Sequence, residues 1–335
     1  MVGTGDRMIS RRGVLRGVLL VSAGIFAGPL AARAQEPGRV YRLGVLYASQ
    51  RDAPHQVAFF DELGRVGFTL GQNVSVEARG FGLRGEQFAD VARELVNAKV
   101  DVILCGGDLA IRAAQQATGT IPILAITDDM VGSGLVRSLA NPGGNTTGVS
   151  ILAGQLDGKR QELLMEIVPG LRRMAALADS NTTAPRQLKA LQDAARTRGV
   201  ELLLYTVAQP EEIAPAIDAA KKSGATALNA LATPLLFNNG RVIFERVATL
   251  RLPAMYQWPE MAAAGGLVAY GPSIVQIYRD VMTRQVVKLL RGVKPAELPV
   301  EQPTRFELVI NLKTAKALGL VIPQSLLLRA DRVIQ

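Results

Sequence analysis

The sequence predicts an α/β protein built from two doubly wound parallel-sheet lobes. Three observations carry that expectation. Short apolar strand patterns alternate with amphipathic helix patterns from residue 41 onward, as they do where parallel strands are joined by helical crossovers. A dense run of turn formers, Asn141-Pro142-Gly143-Gly144-Asn145-Thr146-Thr147-Gly148, interrupts the alternation near the middle. The same pattern then restarts at similar length, so the 335 residues hold two arrays of ordinary domain size.

Ahead of the first strand, Ser10-Arg11-Arg12-Gly13-Val14-Leu15 leads into a mostly apolar run over 14–32, closed by Ala32-Arg33-Ala34. A basic start, an apolar stretch and a small-x-small cleavage site make an export signal. The paired arginines resemble a twin-arginine signal, with general secretory export left open. Gly24, Gly28 and Pro29 interrupt the run and argue against the alternative, a membrane anchor. Residues 1–34 are therefore expected to be removed, and the rest to work in the periplasm.

In the first array, 41–47 reads as a buried strand and 54–66 as a helix with Pro near its first turn. Residues 74–79 alternate as a strand, and 85–98 is an amphipathic helix with Phe88, Val91, Ala92, Leu95 and Val96 on one face. Residues 100–105 form a continuous apolar strand. Residues 108–118 form a helix that Asp108 is placed to cap, and 121–127 is a further strand. After the turn run come a helix over 156–167, a strand over 174–178 and a helix over 185–198. A strand over 200–207, a helix over 211–222, a strand over 225–231, a helix over 239–250 and a strand over 253–258 complete the second array. The tail adds a long helix within 271–290, a strand over 307–311 and a short helix over 314–318, a pattern expected if the chain crosses between lobes again.

Composition narrows the function. The net charge is +9; five arginines against one aspartate in 1–34 account for +4 and leave +5. Those basic residues are scattered among acids, without the Lys/Arg stripe that nucleic acid requires. Aromatic residues make up only 5% of the chain, so the core must rest on Ala, Val, Leu and Ile. Cys105 is the only cysteine, which excludes an intramolecular disulfide, and it reads as a small buried hydrophobe at a strand end. His55 is the only histidine, which removes a multi-His metal site and argues against a His-based triad.

In open parallel sheets, ligands sit beyond the carboxyl ends of the strands. In the first array that places Ser49, Gly107, Asp108 and Asp128 as candidates. In the second it places Ser180, Asn181, Thr233, Trp258 and Tyr270. Each has a structural alternative. Gly106-Gly107 can be only a tight turn, since no Gly-x-x-x-x-Gly-Lys-Ser/Thr loop is present. Asp108, Ser180 and Asn181 can be only helix caps. Asp128 and Asp129 are adjacent on an extended segment and point opposite ways, which argues against a catalytic dyad. Tyr256 and Trp258 share a strand face near Tyr270, as a stacking wall or as core.

Several stretches together resemble a known family. They are Asp129-Met130-Val131-Gly132-Ser133-Gly134-Leu135-Val136 running into Ser138 to Ser150, Leu252 to Trp258, Ala264 to Gly271, Phe306 to Gly319 and Ile322 to Asp331. They resemble the ABC-transporter substrate-binding proteins that include tryptophan and tyrosine binders, and the likeness spans nearly all of the chain after the signal. The resemblance implies a type I periplasmic-binding fold: two lobes joined by three crossover strands, with the ligand held between them for delivery to a membrane permease. The implied lobes are 40–152 plus about 272–306, and 153–271 plus about 307–335. Two departures stand out. Met130 replaces a Pro, and Gly106-Gly107-Asp108 replaces a pattern closer to Gly-Thr-Pro that would supply a hydroxyl.

The expected function is a periplasmic solute receptor, a monomer with no cofactor, no metal and no catalysis. It closes two lobes around a small organic molecule such as an amino acid or aromatic compound, and docks an ABC permease. An exported α/β hydrolase would need Gly-x-Ser-x-Gly followed downstream by His; Gly132-Ser133-Gly134 lacks the spacing and His55 lies upstream. A ligand-dependent regulator of the same fold would need a DNA-binding helix-turn-helix in place of the export-type segment. A periplasmic sensor not coupled to transport stays open.

Overall fold

Two separate β-sheets organise the protein. The computed structural model describes residues 38–335, and the export-type segment 1–34 lies outside them. The first sheet has the order β2-β1-β3-β4-β5, from β1 (Tyr41–Leu46), β2 (Val74–Val76), β3 (Val102–Gly106), β4 (Ile123–Thr127) and β5 (Thr146–Ser150). All its neighbours are parallel, with Leu43 opposite Val102, Ile103 opposite Ile123 and Ala125 opposite Gly148.

The second sheet comprises β6 (Arg173–Asp179), β7 (Glu201–Val207), β8 (Leu228–Ala230), β9 (Ala254–Tyr256), β10 (Val268–Gly271), β11 (Glu307–Asn311) and β12 (Arg332–Ile334). Its order is β12-β11-β10-β9-β8-β6-β7, parallel except where β10 meets β11.

Both sheets are covered on both faces, which explains their unbroken apolar strands. On the first, Leu43, Val45 and Leu104 face one core with Phe59 and Leu63 of α1 (Pro54–Arg65). Leu46, Ile103 and Cys105 face another, with Leu95 of α2 (Phe88–Asn97) and Ile111 of α3 (Asp108–Ala117). On the second sheet, Met174, Ala176 and Met255 pack under Leu163 and Leu164 of α4 (Asp157–Ile167) and Leu191 of α5 (Pro185–Thr197). Ala175, Leu177 and Tyr256 face Ile213 of α6 (Ile213–Lys222) and Ile243 of α8 (Gly240–Thr249), beyond the short α7 (Pro234–Asn238).

The chain passes between the sheets three times. It leaves β5 and enters α4, which packs on β8 and β9. It leaves the end of β10 and enters the late helix, which packs on α1. It returns after Glu301, which bridges Val149 of β5, to form β11. The late helix runs as Ile274–Gln276, a π-helical segment Ile277–Met282 and Thr283–Leu290.

Several boundaries differ from the sequence reading, each for a local reason. The strand expected over 74–79 ends at Val76, and a 3₁₀ turn, Ala78–Gly80, follows. The helix expected from 85 starts at Phe88; the preceding turn is closed by the Gln87 side chain, which accepts the Arg84 N–H at 2.9 Å. The turn run at 141–148 already contains the start of β5, because the Asn145 amide donates to Thr118 and Ile121 carbonyls and hands Thr146 straight to the sheet. Gly107, at φ 85°, rather than Asp108 holds the cap position of α3.

Candidate functional site

The carboxyl ends of both sets of parallel strands lead into the loops named from sequence. After β1, Ser49 Oγ lies 3.3 Å from His55 Nε2 and accepts from Gln56 Nε2 at 3.2 Å. Pro54 opens α1 at a position where its missing N–H costs nothing, which sets His55 and Gln56 in the first turn. Both are buried, at 5% and 0% exposure. Burial disfavours the imidazolium and pulls the His55 pKa down to about 4.

His55 links elements of the two sheets. Its ring lies 4.7 Å from Tyr278 of the π-helical segment, edge-on, and 5.7 Å from Phe237 of α7. Phe237 lies 5.9 Å from Trp258, also edge-on. On the far side, Tyr278 is 5.9 Å from Tyr47, and Tyr47 is 6.4 Å from Phe81. The aromatic line thus runs from the end of β1 to the loop after β9, at spacings where ring pairs add stability beyond their area.

The loop after β8 is built to present Phe237. Thr233 Oγ1 accepts the Leu236 N–H at 3.2 Å and caps α7, and its carbonyl accepts from Gln257 Nε2 at 3.2 Å. Gly107 reaches the same loop: a side chain added there would come within 4.0 Å of Pro234. Ser49, Gly107, Thr233 and Trp258 are therefore brought together through His55, Pro234 and Phe237.

The other candidates are placed differently. Asp108 accepts a hydrogen bond from the Thr127 hydroxyl. Asp128 accepts the Gly154 N–H at 3.1 Å and Asp129 the Gly132 N–H at 2.8 Å, so the adjacent carboxylates do face different partners. Asp128 keeps its surface open to solvent, but the protein atoms ringing it still raise its pKa by desolvation, against the Gly154 N–H and Arg160. Ser180 and Asn181 direct their side chains to the Val207 and Ala208 carbonyls at the end of β7. The Tyr270 ring belongs to the core on the α4 side and lies 6.5 Å from Phe306, while Trp258 belongs to the opposite core.

Sequence reasoning passed over His55, Gln56, Phe237 and Gln257. Two signals were present: a sole histidine within the loop and first turn after β1, and an aromatic residue just beyond Thr233-Pro234. The buried Gln56 Oε1, Gln257 Oε1 and Trp258 Nε1 have no hydrogen-bond partner within the protein. Two acceptors and one donor beside aromatic faces suit a small molecule with a polar end and an apolar body. Among the described residues, no group of three or more His, Cys, Asp or Glu could hold a metal ion, and no helix is long and apolar enough to cross a membrane.

Two doubly wound sheets whose strand ends face one another define a bilobal ligand-binding protein. The chain belongs to the ABC transporter substrate binding protein family, which matches residues 58–334. A curated relative, the tyrosine-binding protein of Clostridioides difficile strain R20291, is 26% identical over 267 residues, covering 78% of this chain and 75% of that protein. A conserved domain protein from Vibrio cholerae has the same fold, with a TM-score of 0.79 at 23% identity over 88% of this chain and all of the other. An ABC domain from Streptococcus pneumoniae in complex with L-Trp superposes with a TM-score of 0.75 at 24% identity, again over 88% and 100%. The protein is thus a substrate-binding protein of the ABC-transporter type and not an enzyme.

Proposed function

We propose that the protein is the exported receptor of an ABC importer and works in the periplasm as a monomer, closing two lobes around a small organic ligand and presenting the closed form to a membrane permease. The lobes are 40–152 plus about 272–306, and 153–271 plus about 307–335, with export through the segment 1–34 by the twin-arginine route. The ligand class is an amino acid or aromatic compound; the tyrosine- and tryptophan-binding relatives support that choice. The observation that carries the reading is the His55–Phe237–Trp258 contact, which joins the strand ends of the two sheets beside three buried polar atoms without protein partners.

In this reading Ser49, Gly107, Asp108 and Asp128 serve one side of the cleft with His55 and Gln56, and Thr233 and Trp258 the other with Phe237 and Gln257. Ser180, Asn181 and Tyr270 lie at the margin and support the wall. Ligand that contacts both sides binds the closed form more tightly than the open one, and that difference drives closure.

The test is a thermal-shift screen of aromatic and other amino acids, aromatic acids and small amides, paired with emission from Trp258, the only tryptophan. A ligand at about 100 times its Kd should add about 2.7 kcal/mol of stability. Phe237→Ala should weaken that response. A screen with no stabilising compound, together with robust turnover of generic esters or glycosides, would overturn the proposal.

A further inference from the structure

Arg160 of α4 is fully buried, and so is its partner Asp157, at 0% and 1% side-chain exposure and 2.8 Å apart. Burying both charges carries a desolvation cost that apolar residues of similar volume would avoid, so the pair calls for a role beyond cohesion. Its hydrogen bonds suggest that role. Arg160 Nη1–H donates to the Ala153 carbonyl at 2.7 Å, in the passage from β5 to α4. Nε–H donates to the Tyr270 carbonyl at 2.7 Å, at the end of β10 just before the passage to the late helix. Nη2–H reaches the Gln257 carbonyl at 3.4 Å, beside Trp258.

Asp157 extends the set. Its Oδ1 takes Arg160 and its Oδ2 takes Gln187 Nε2 at 2.8 Å, and the Ala232 backbone N–H, next to Thr233, also bonds it. The close approach of β10 needs Gly271, where a side chain would come 2.1 Å from the Gln257 carbonyl and 3.1 Å from Arg160 Nη2. One planar guanidinium therefore ties the first inter-sheet passage to the strand end that opens the second and to the loop that carries Trp258. A planar fork with donors on three nitrogens can do this and an ammonium cannot.

We infer that Arg160, seated by Asp157, is a positioning residue for lobe closure: it locks the passages at 151–156 and 272–273 into one unit, so that they bend together and carry the Gln257–Trp258 loop with them. This rests on the hinged-receptor reading, but its test requires no ligand. The Asp157→Asn/Arg160→Met double variant removes both charges without stranding either. Arg160→Lys keeps the charge and loses the fork.

Spin labels on Val66→Cys and Val242→Cys, exposed positions at the C-terminal cap of α1 and on α8, report the distance between the lobes in the full chain by pulsed electron resonance. The expected result in both variants is native-like circular dichroism, a distance distribution about twice as broad as in the parent, and amide exchange faster by about tenfold in both passages together. Unchanged width and unchanged exchange in a folded variant would overturn the inference, as would loosening of one passage alone. If the double variant does not fold, Arg160→Lys decides between these outcomes. A ligand screen that finds nothing, with these shifts present, counts against the ligand assignment and leaves the hinge role standing.

Discussion

Replacing His55 by Gln isolates the energetic consequence of burying an imidazole where the two sheets' loops meet. Gln can still meet Ser49, but it cannot take a proton. The His55 pKa falls from its ordinary 6.5 to about 4 because burial penalises the charged ring. At 1.36 kcal/mol per unit, a drop of about 2.5 units is worth about 3 kcal/mol. Between pH 6.5 and 4 the unfolded chain carries the proton and the folded chain does not. Stability from this group is therefore fully present above pH 6.5 and is lost as pH falls towards 4.

Asp157 acts in the opposite sense. Desolvation lifts its carboxyl from 3.8 to about 6 against the pull of Arg160. The folded state thus holds that proton more tightly, and its contribution is lost as pH rises through 6. The parent protein alone would show the two effects partly cancelling. The difference between parent and His55→Gln removes Asp157, which is common to both. Urea unfolding followed through Trp258 emission from pH 7 to pH 4 should show the parent losing about 3 kcal/mol more than the variant. A stability gap that stays flat across that range would refute the reasoning, because His55 would then be protonated freely inside the folded protein.

Other perturbations have equally definite outcomes. Gly148→Ala should cost about 3 kcal/mol or more and leave little folded protein by circular dichroism, since the new methyl would stand 1.8 Å from the Ala125 carbonyl oxygen at a φ of 142°. Thr233→Ala should lower stability by about 1 kcal/mol in chemical denaturation, because the Leu236 N–H loses its cap. Phe237→Ala should shift Trp258 emission to the red at a stability cost of about 1 kcal/mol beyond lost area, as water reaches the indole. Leu63→Ala, at 0% exposure under the first sheet, should cost about 2–5 kcal/mol in the same denaturation series and leave ligand affinity unchanged.

Some features were legible because they are written in adjacent residues. Val102 to Gly106 and Ile123 to Thr127 are short apolar runs between helical patterns, and they form the buried parallel strands expected of them. Other features depend on partners far along the chain. Asp108 looks like a cap by its place before a helix, yet Thr127 claims its carboxylate and Gly107 takes the turn. Ser180 and Asn181 sit where cleft residues are expected, but β7 ends beside them and offers its carbonyls. The late helix reads as regular from its periodicity, and only packing reveals the π-helical segment that aims Tyr278 at His55.

The linear order of residues thus determined the α/β class, the two arrays and the loops at the strand ends, because periodicity and turn chemistry act over a few neighbours. Only the tertiary structure decided that His55 would meet Phe237 and that Arg160 would grasp carbonyls as distant as those of Gln257 and Tyr270. Contacts across such separations arise from how the two sheets pack and where the chain recrosses, and no local pattern encodes that distance.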